Sequence, residues 1–196
     1  MTETNPFRLR RFVRDLATLL SETADEAAIL AAGEGLLRDL VAKDDWLPDA
    51  FARPAAGHAQ YLLHCDSLER FSIVSFVWSP GRGSPVHNHT VWGLIGVLRG
   101  AEISQPFALT PGGLAPGAPI LLQPGDVERV SARVGDLHMV INAIADGPSV
   151  SIHVYGGNIG AVERSIFNAA GQPRRFVSGY TNTVTPNLWD GILSPE

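Results

Sequence analysis

Residues 81–100 read GRGSPVHNHTVWGLIGVLRG. Two histidines, His87 and His89, stand one residue apart between a glycine/proline-rich turn and a long apolar run. On an extended strand, side chains at i and i+2 project from the same face, so the spacing predicts two imidazoles side by side. Such a pair suits a metal, for which neutral imidazole is a common ligand. It equally suits a hydrogen-bonded core pair, and the rest of the chain has to separate the two.

The chain has 196 residues, 45% hydrophobic and 18% charged, which describes a globular domain rather than a disordered segment. A formal net charge of −5 with no dense basic run argues against nucleic-acid binding. Cys65 is the one cysteine, so no intrachain disulfide can form, in keeping with a reducing compartment. It is given a structural role. The opening MTETNPFRLRRF lacks the basic-then-apolar order of a signal peptide. Apolar runs such as FSIVSFVW are of strand length, too short to span a bilayer. A soluble cytoplasmic protein with no nucleic-acid or membrane partner is expected.

The first fifty residues read as helical. In RRFVRDLATLLSE, Phe12, Leu16, Leu19 and Leu20 keep helical spacing, and ADEAAILAAGEGLLRDLVAK predicts a second helix capped by Ser21 or Thr23. From about residue 59, QYLLHCD, RFSIVSFVW, TVWGLIGVLRG, AEISQPFAL, DVERVSARV, LHMVINAI and SVSIHVYG alternate with Gly/Pro turns. Many short strands at even spacing predict a sandwich or barrel. The Pro/Asn/Gly-rich tail from Gly171 is expected to wrap over the surface.

A third imidazole would complete one face of a metal, and His138 in GDLHMVIN opens a strand whose alternate residues, Val140 and Asn142, share its face. Gly81, His87, His89, Gly93 and Gly100, with five, one, three and six residues between them, resemble the first motif of the cupin superfamily. Gly135-x-x-His138-x-x-x-Asn142 resembles the second, in part, since Arg133 stands where a proline is usual. The resemblance implies a mainly β fold, a double-stranded β-helix or jelly-roll-like barrel with an N-terminal helical segment. It implies one domain over 1–196: helical cover to about 55, barrel core about 56–160, and a C-terminal extension over 161–196.

Most cupins carry a fourth ligand, glutamate, at the position of Gly93. Its absence, with SIHVYGGNIGAVER at 151–164, makes Gln60 to Tyr155 resemble the thiol dioxygenases, the cysteine dioxygenase family. That family binds one Fe(II) per chain through three histidines, here His87, His89 and His138. Its other hallmark is a Ser-x-His-x-Tyr run, here Ser151, His153 and Tyr155. By itself that run would also suit an ordinary half-buried strand with its polar face outward.

Animal members have a cysteine at position 93 that crosslinks to the tyrosine, which Gly93 cannot do. They hold a substrate carboxylate with an early arginine, where this chain has Gln60. A bacterial branch, the 3-mercaptopropionate dioxygenases, has that glutamine and an arginine nine residues beyond the tyrosine, here Arg164. A guanidinium fork pairs two N–H groups with two carboxylate oxygens. Without the resemblance, Arg164 would read as an exposed helix or loop residue.

The resemblance thus implies a non-haem Fe(II) thiol dioxygenase that converts a small thiol carboxylate, first 3-mercaptopropionate, to its sulfinate with O2. Arg164 and Gln60 would bind substrate, Tyr155 would donate a hydrogen bond with His153 and Ser151 orienting it, and Trp92 would keep the cavity dry. The small thiol and O2 are the expected partners, and the oligomeric state, monomer or small homo-oligomer, is left open. The alternatives are L-cysteine or cysteamine as substrate, a cupin holding zinc or nickel, and a binding module without turnover. His58 and His64 carry no assignment, although parity places His64 on the face of Gln60.

Overall fold

The computed structural model describes residues 6–189. Two antiparallel helices, α1 (Phe7–Glu22) and α2 (Glu26–Val41), precede twelve strands. These are β1 (His58–Cys65), β2 (Ser72–Trp78), β3 (Val86–His87), β4 (Gly93–Arg99), β5 (Glu102–Thr110) and β6 (Gly113–Pro116), followed by β7 (Ile120–Leu122), β8 (Val127–Val130), β9 (His138–Asn142), β10 (Ser149–Tyr155), β11 (Arg164–Phe167) and β12 (Pro173–Phe176). Every strand pair is antiparallel. One sheet runs β1-β2-β10-β4-β8, and the other β12-β11-β3-β9-β5-β6 with β7 paired to β5. The mainly β class with a helical start, expected from the sequence, is the one observed. No helix among the described residues is long and apolar enough to cross a membrane.

The helices form because their apolar residues repeat with the helical period, and they end where that period ends. Leu9, Phe12, Val13 and Leu16 of α1 and Leu30, Leu37, Leu40 and Val41 of α2 are buried against the first sheet. α2 packs directly on β4, where a Cβ on Gly96 would lie 3.0 Å from Leu37 Cγ; the bare glycine lets helix and sheet meet. The cap of α2 is Asp25, whose carboxylate accepts from Ala28 N at 3.1 Å, and neither Ser21 nor Thr23. Thr23 instead closes α1, its N–H bonding to Leu19 O at 3.1 Å.

β2 and β10 are buried along their whole length. Period 2 divides them between two compartments. Ile73 and Val77, with Val150, Ile152 and Val154, join the cluster under the helices. Val74, Phe76, Trp78 and Tyr155 belong to a smaller cluster with Val140 of the opposite sheet. The polar residues of SVSIHVY therefore face the interior, not solvent.

The structure adds strands that the sequence reading treated as turn or tail. β6 lies inside the glycine/proline stretch after Thr110, and β11 and β12 carry the second sheet past residue 160. Beyond β12 the chain crosses β1. Thr181 N donates to Gln60 O at 2.8 Å, and Asn182 bonds both the N–H and the carbonyl of Leu62, at 2.8 and 2.9 Å. These contacts cover the open edge of the first sheet. The end of the expected C-terminal extension, 190–196, lies outside the described residues.

Candidate metal centre and cavity

His87, His89 and His138 come together, one ligand nitrogen from each lying within 4.8 Å of the others. His87 ends β3 and is paired in register with His138, the first residue of β9. His89 lies beyond the end of β3, so the i, i+2 strand argument does not place it. A turn does, with Thr90 at φ 63° and Asp136 as anchor: its Oδ1 accepts from His89 N at 2.9 Å and its Oδ2 from Thr90 N at 3.1 Å. Asp136 was missed in the sequence, although it sits two residues before His138 in the second motif.

In each imidazole Nδ1 is engaged. That of His87 meets Pro85 O at 3.0 Å and that of His89 meets Asp136 Oδ1 at 2.9 Å. That of His138 lies 3.3 Å from Ser104 Oγ and 3.6 Å from Glu128 Oε2. Such contacts fix the tautomer, leaving Nε2 as the lone-pair nitrogen. Nε2 of His89 and of His138 is buried and without a hydrogen-bond partner. A buried nitrogen left unpaired is costly, and a metal ion would satisfy both at once. The donor set therefore fits a metal.

Burial and the neighbouring imidazoles hold His87 far below the ordinary histidine pKa, and burial holds His89 at about 4. Neutral imidazole is the form that binds metal. For Asp136 and Glu128, burial alone would raise the carboxyl pKa. Hydrogen bonds from His89 and from His138 outweigh it, so both stay ionised.

Gly93 leaves the fourth position empty for a steric reason. It is paired with Tyr155 across β4 and β10. A Cβ there would come within 2.8 Å of Val130 Cγ2 and 2.9 Å of Tyr155 Cδ1. The tyrosine ring occupies the space a side chain at 93 would need, and it stacks on His89 with ring centroids 5.4 Å apart.

Ser151, His153 and Tyr155 form one line: Ser151 Oγ to His153 Nε2 at 2.8 Å, and His153 Nδ1 to Tyr155 Oη at 2.8 Å. All three are buried. Burial lowers the His153 pKa and raises that of the phenol, so both are neutral at pH 7.

These groups open on a cavity of about 330 Å³ between the two sheets. His87, His153, Tyr155, Gln60 and Arg164 line it, with Phe76, Trp78, Val140, Ile166 and Phe176 as its apolar wall. Arg164 opens β11 and is buried, not exposed. One NH2 group donates to Ser178 Oγ at 2.7 Å, the guanidinium lies 4.8 Å over the Phe176 ring, and Nε has no partner. Gln60 is on the wall, but its amide N–H groups go to Ser178 Oγ and Gly179 O, both at 3.1 Å.

Two other residues, Trp92 and His64, fall differently from the reading of the sequence. Trp92 does not line the cavity; it packs against the cluster under the helices, while Phe76 and Trp78 provide the apolar wall. A bulge between Leu62 and His64 breaks the parity that linked His64 to Gln60, and His64 rests beside Phe71 at 5.6 Å. His58 does reach the cavity, stacked on Trp78 at 5.1 Å. Cys65 is half-buried, and burial raises its thiol pKa.

No family model matches the chain. Among solved structures it is similar to a Klebsiella pneumoniae protein with a double-stranded β-helix domain, at 18% identity over 59% of this chain and 93% of that one, TM-score 0.46. A cupin superfamily protein from Desulfitobacterium hafniense matches at 19% identity over 59% and 94%, TM-score 0.43. An oxalate oxidase matches at 15% identity over 54% and 55%, TM-score 0.45.

Proposed function

We propose that the chain is an Fe(II)-dependent thiol dioxygenase that converts 3-mercaptopropionate to 3-sulfinopropionate, one Fe(II) being held by His87, His89 and His138. The observation that carries the reading is a ligand set made only of imidazoles, one of which, His87, lines the same cavity as a buried guanidinium. When bound, the ion would supply the redox centre at which a thiolate and O2 meet, and both oxygen atoms would end on sulfur. With no carboxylate among the three ligands, its full positive charge is available to an anionic sulfur.

The chain's own groups do the rest. Arg164 would pair its free Nε, together with an NH2 group, with the substrate carboxylate, as a fork suits two oxygens. The aromatic and aliphatic wall excludes water around the short alkyl chain. Tyr155, held by His153, places a phenol proton at the cavity. None of the described residues lining the cavity is acidic, so no carboxylate there would offset the charge of the L-cysteine ammonium. This favours an acid without an amino group over cysteine, and gives a storage module no reason to carry the tyrosine line.

Oxygen uptake by the iron-loaded protein, with 3-mercaptopropionate and L-cysteine side by side and the product identified by NMR, tests the proposal. A higher kcat/KM for 3-mercaptopropionate with sulfinate formed is expected. A preference for cysteine would overturn the substrate, and no uptake with either in protein of measured ferrous content would overturn the activity.

A further inference from the structure

Arg164 is not alone on the cavity wall. Arg174 of β12 lines the same cavity, and unlike the buried Arg164 it is exposed. A residue that both lines a cavity and meets solvent stands where the cavity opens. Strand register fixes its place. Arg174 is paired with Ile166 of β11, Ile166 with His87 of β3, and His87 with His138 of β9. Arg174 therefore shares a cross-strand row with two of the candidate ligands, two strand spacings or roughly 10 Å beyond His87. Arg164 lies two residues from Ile166 along β11, which makes the two arginines diagonal neighbours, their Cα atoms about 7–8 Å apart.

Nothing on the wall offsets this second charge. Alternation along β12 turns the next residue, Arg175, the other way, where it pairs with Glu163 at 3.1 Å. No ion pair among the described residues includes Arg174. None of the described lining residues is acidic, and burial holds the imidazoles of His58, His87 and His153 below the ordinary histidine pKa. The cavity thus carries two guanidinium charges, one deep and one at its opening, and a cleft lined by one sign of charge concentrates the opposite ion. A monocarboxylate offsets only one of them. It also leaves space: an acid of six heavy atoms fills at most about 180 Å³, at the roughly 30 Å³ that a water claims, in a cavity of about 330 Å³.

We propose that Arg174 is a specificity-determining residue that takes a second carboxylate, so that the cavity selects small thiols bearing two carboxylates over those bearing one. Arg164, held by Ser178 and Phe176, takes the inner carboxylate. Arg174 takes the outer one, carried on a short arm that leads toward the opening.

The proposal rests on the dioxygenase reading for the fate of the sulfur, and its test is a binding measurement that needs no turnover. Fe(II)-loaded protein is titrated calorimetrically under nitrogen with three thiols. These are 3-mercaptopropionate, 2-(mercaptomethyl)succinate, which adds a carboxymethyl arm beside the carboxylate, and 3-mercapto-2-methylpropionate, which adds an uncharged branch at the same carbon. The dicarboxylate should bind about five- to ten-fold more tightly than the methyl-branched acid. Arg174→Gln should remove that preference while changing the affinity for 3-mercaptopropionate far less, and Arg174→Lys, which keeps the charge, should retain part of it. Equal affinity for the dicarboxylate and the methyl-branched acid, a preference that survives in Arg174→Gln, or binding of none of the three would overturn the proposal. A preference that depends on Arg174 in protein that takes up no oxygen with any of these thiols would overturn the activity and leave the selection of diacids standing.

Discussion

Gln60 and Arg164, more than a hundred positions apart, are joined through one hydroxyl. Ser178 Oγ lies 3.1 Å from the Gln60 amide nitrogen and 2.7 Å from an Arg164 NH2 nitrogen. The glutamine thus holds the segment that holds the arginine, and the guanidinium Nε stays buried without a partner. Arg164→Ala should lower kcat/KM for 3-mercaptopropionate by roughly 10–100-fold, the worth of a charged hydrogen-bonded pair. Gln60→Ala, acting at one remove, should cost about five-fold or less. Steady-state oxygen consumption over a range of substrate concentrations measures both, and equal losses would mean that Gln60 touches the substrate itself.

Tyr155→Phe removes the hydroxyl at the end of the triad and leaves the ring that stacks on His89. Turnover should drop by about 10–100-fold, in the range of a lost proton donor, while iron content by elemental analysis stays unchanged. Loss of iron in this variant would make the phenol part of the metal site.

Asp136 orients His89 and the turn that carries it. Asp136→Ala is expected to weaken metal binding by about 10–100-fold, read by competition with a coloured chelator. Undiminished affinity would show that the turn needs no anchor.

His153 is neutral in the fold because burial opposes its charge. Its folded pKa lies below the ordinary histidine value of about 6.5, so at lower pH the unfolded chain takes up a proton that the native state refuses. This stability is complete above pH 6.5 and is lost as the pH falls below it. In metal-free protein, the difference in urea unfolding free energy between the unaltered chain and His153→Phe should shift by about 1–2 kcal/mol between pH 7 and pH 5, against the unaltered chain. A constant difference would mean that the imidazole is charged in the native state.

Gly93→Ala forces a methyl group against Val130 and Tyr155. Overpacking of this kind costs about 1–3 kcal/mol, to be seen in the denaturant midpoint, with turnover reduced further as the tyrosine ring moves. A variant as stable and active as the original would mean that Tyr155 has room to retreat.

The residues most legible in the sequence are those whose place follows from local periodicity. His138 shares a buried face with Val140 and Asn142, with Met139 and Ile141 between them on the other side, as alternation requires. Ser151, His153 and Tyr155 follow by the same rule. Where the backbone leaves the regular strand the rule fails: His89 is placed by a turn, and His64 is turned away by a bulge. Tertiary partners left still less trace. Ser178 lies in a stretch of turn-forming residues, and only the return of the chain across β1 makes it the support of Arg164. The apolar wall was expected from Trp92 because it neighbours the histidines in sequence, whereas Phe76 and Trp78 neighbour them across the sheets.

The crossing of β1 by residues 178–182 has a consequence for how the site comes into being. A chain emerging from the ribosome delivers all three histidines and the tyrosine line well before Ser178, Gly179 and Thr181. The imidazole cluster can therefore assemble while Arg164 is still without its support. In the order of synthesis, the imidazole cluster and the tyrosine line come first, and the strap that supports Arg164 through Ser178 comes last.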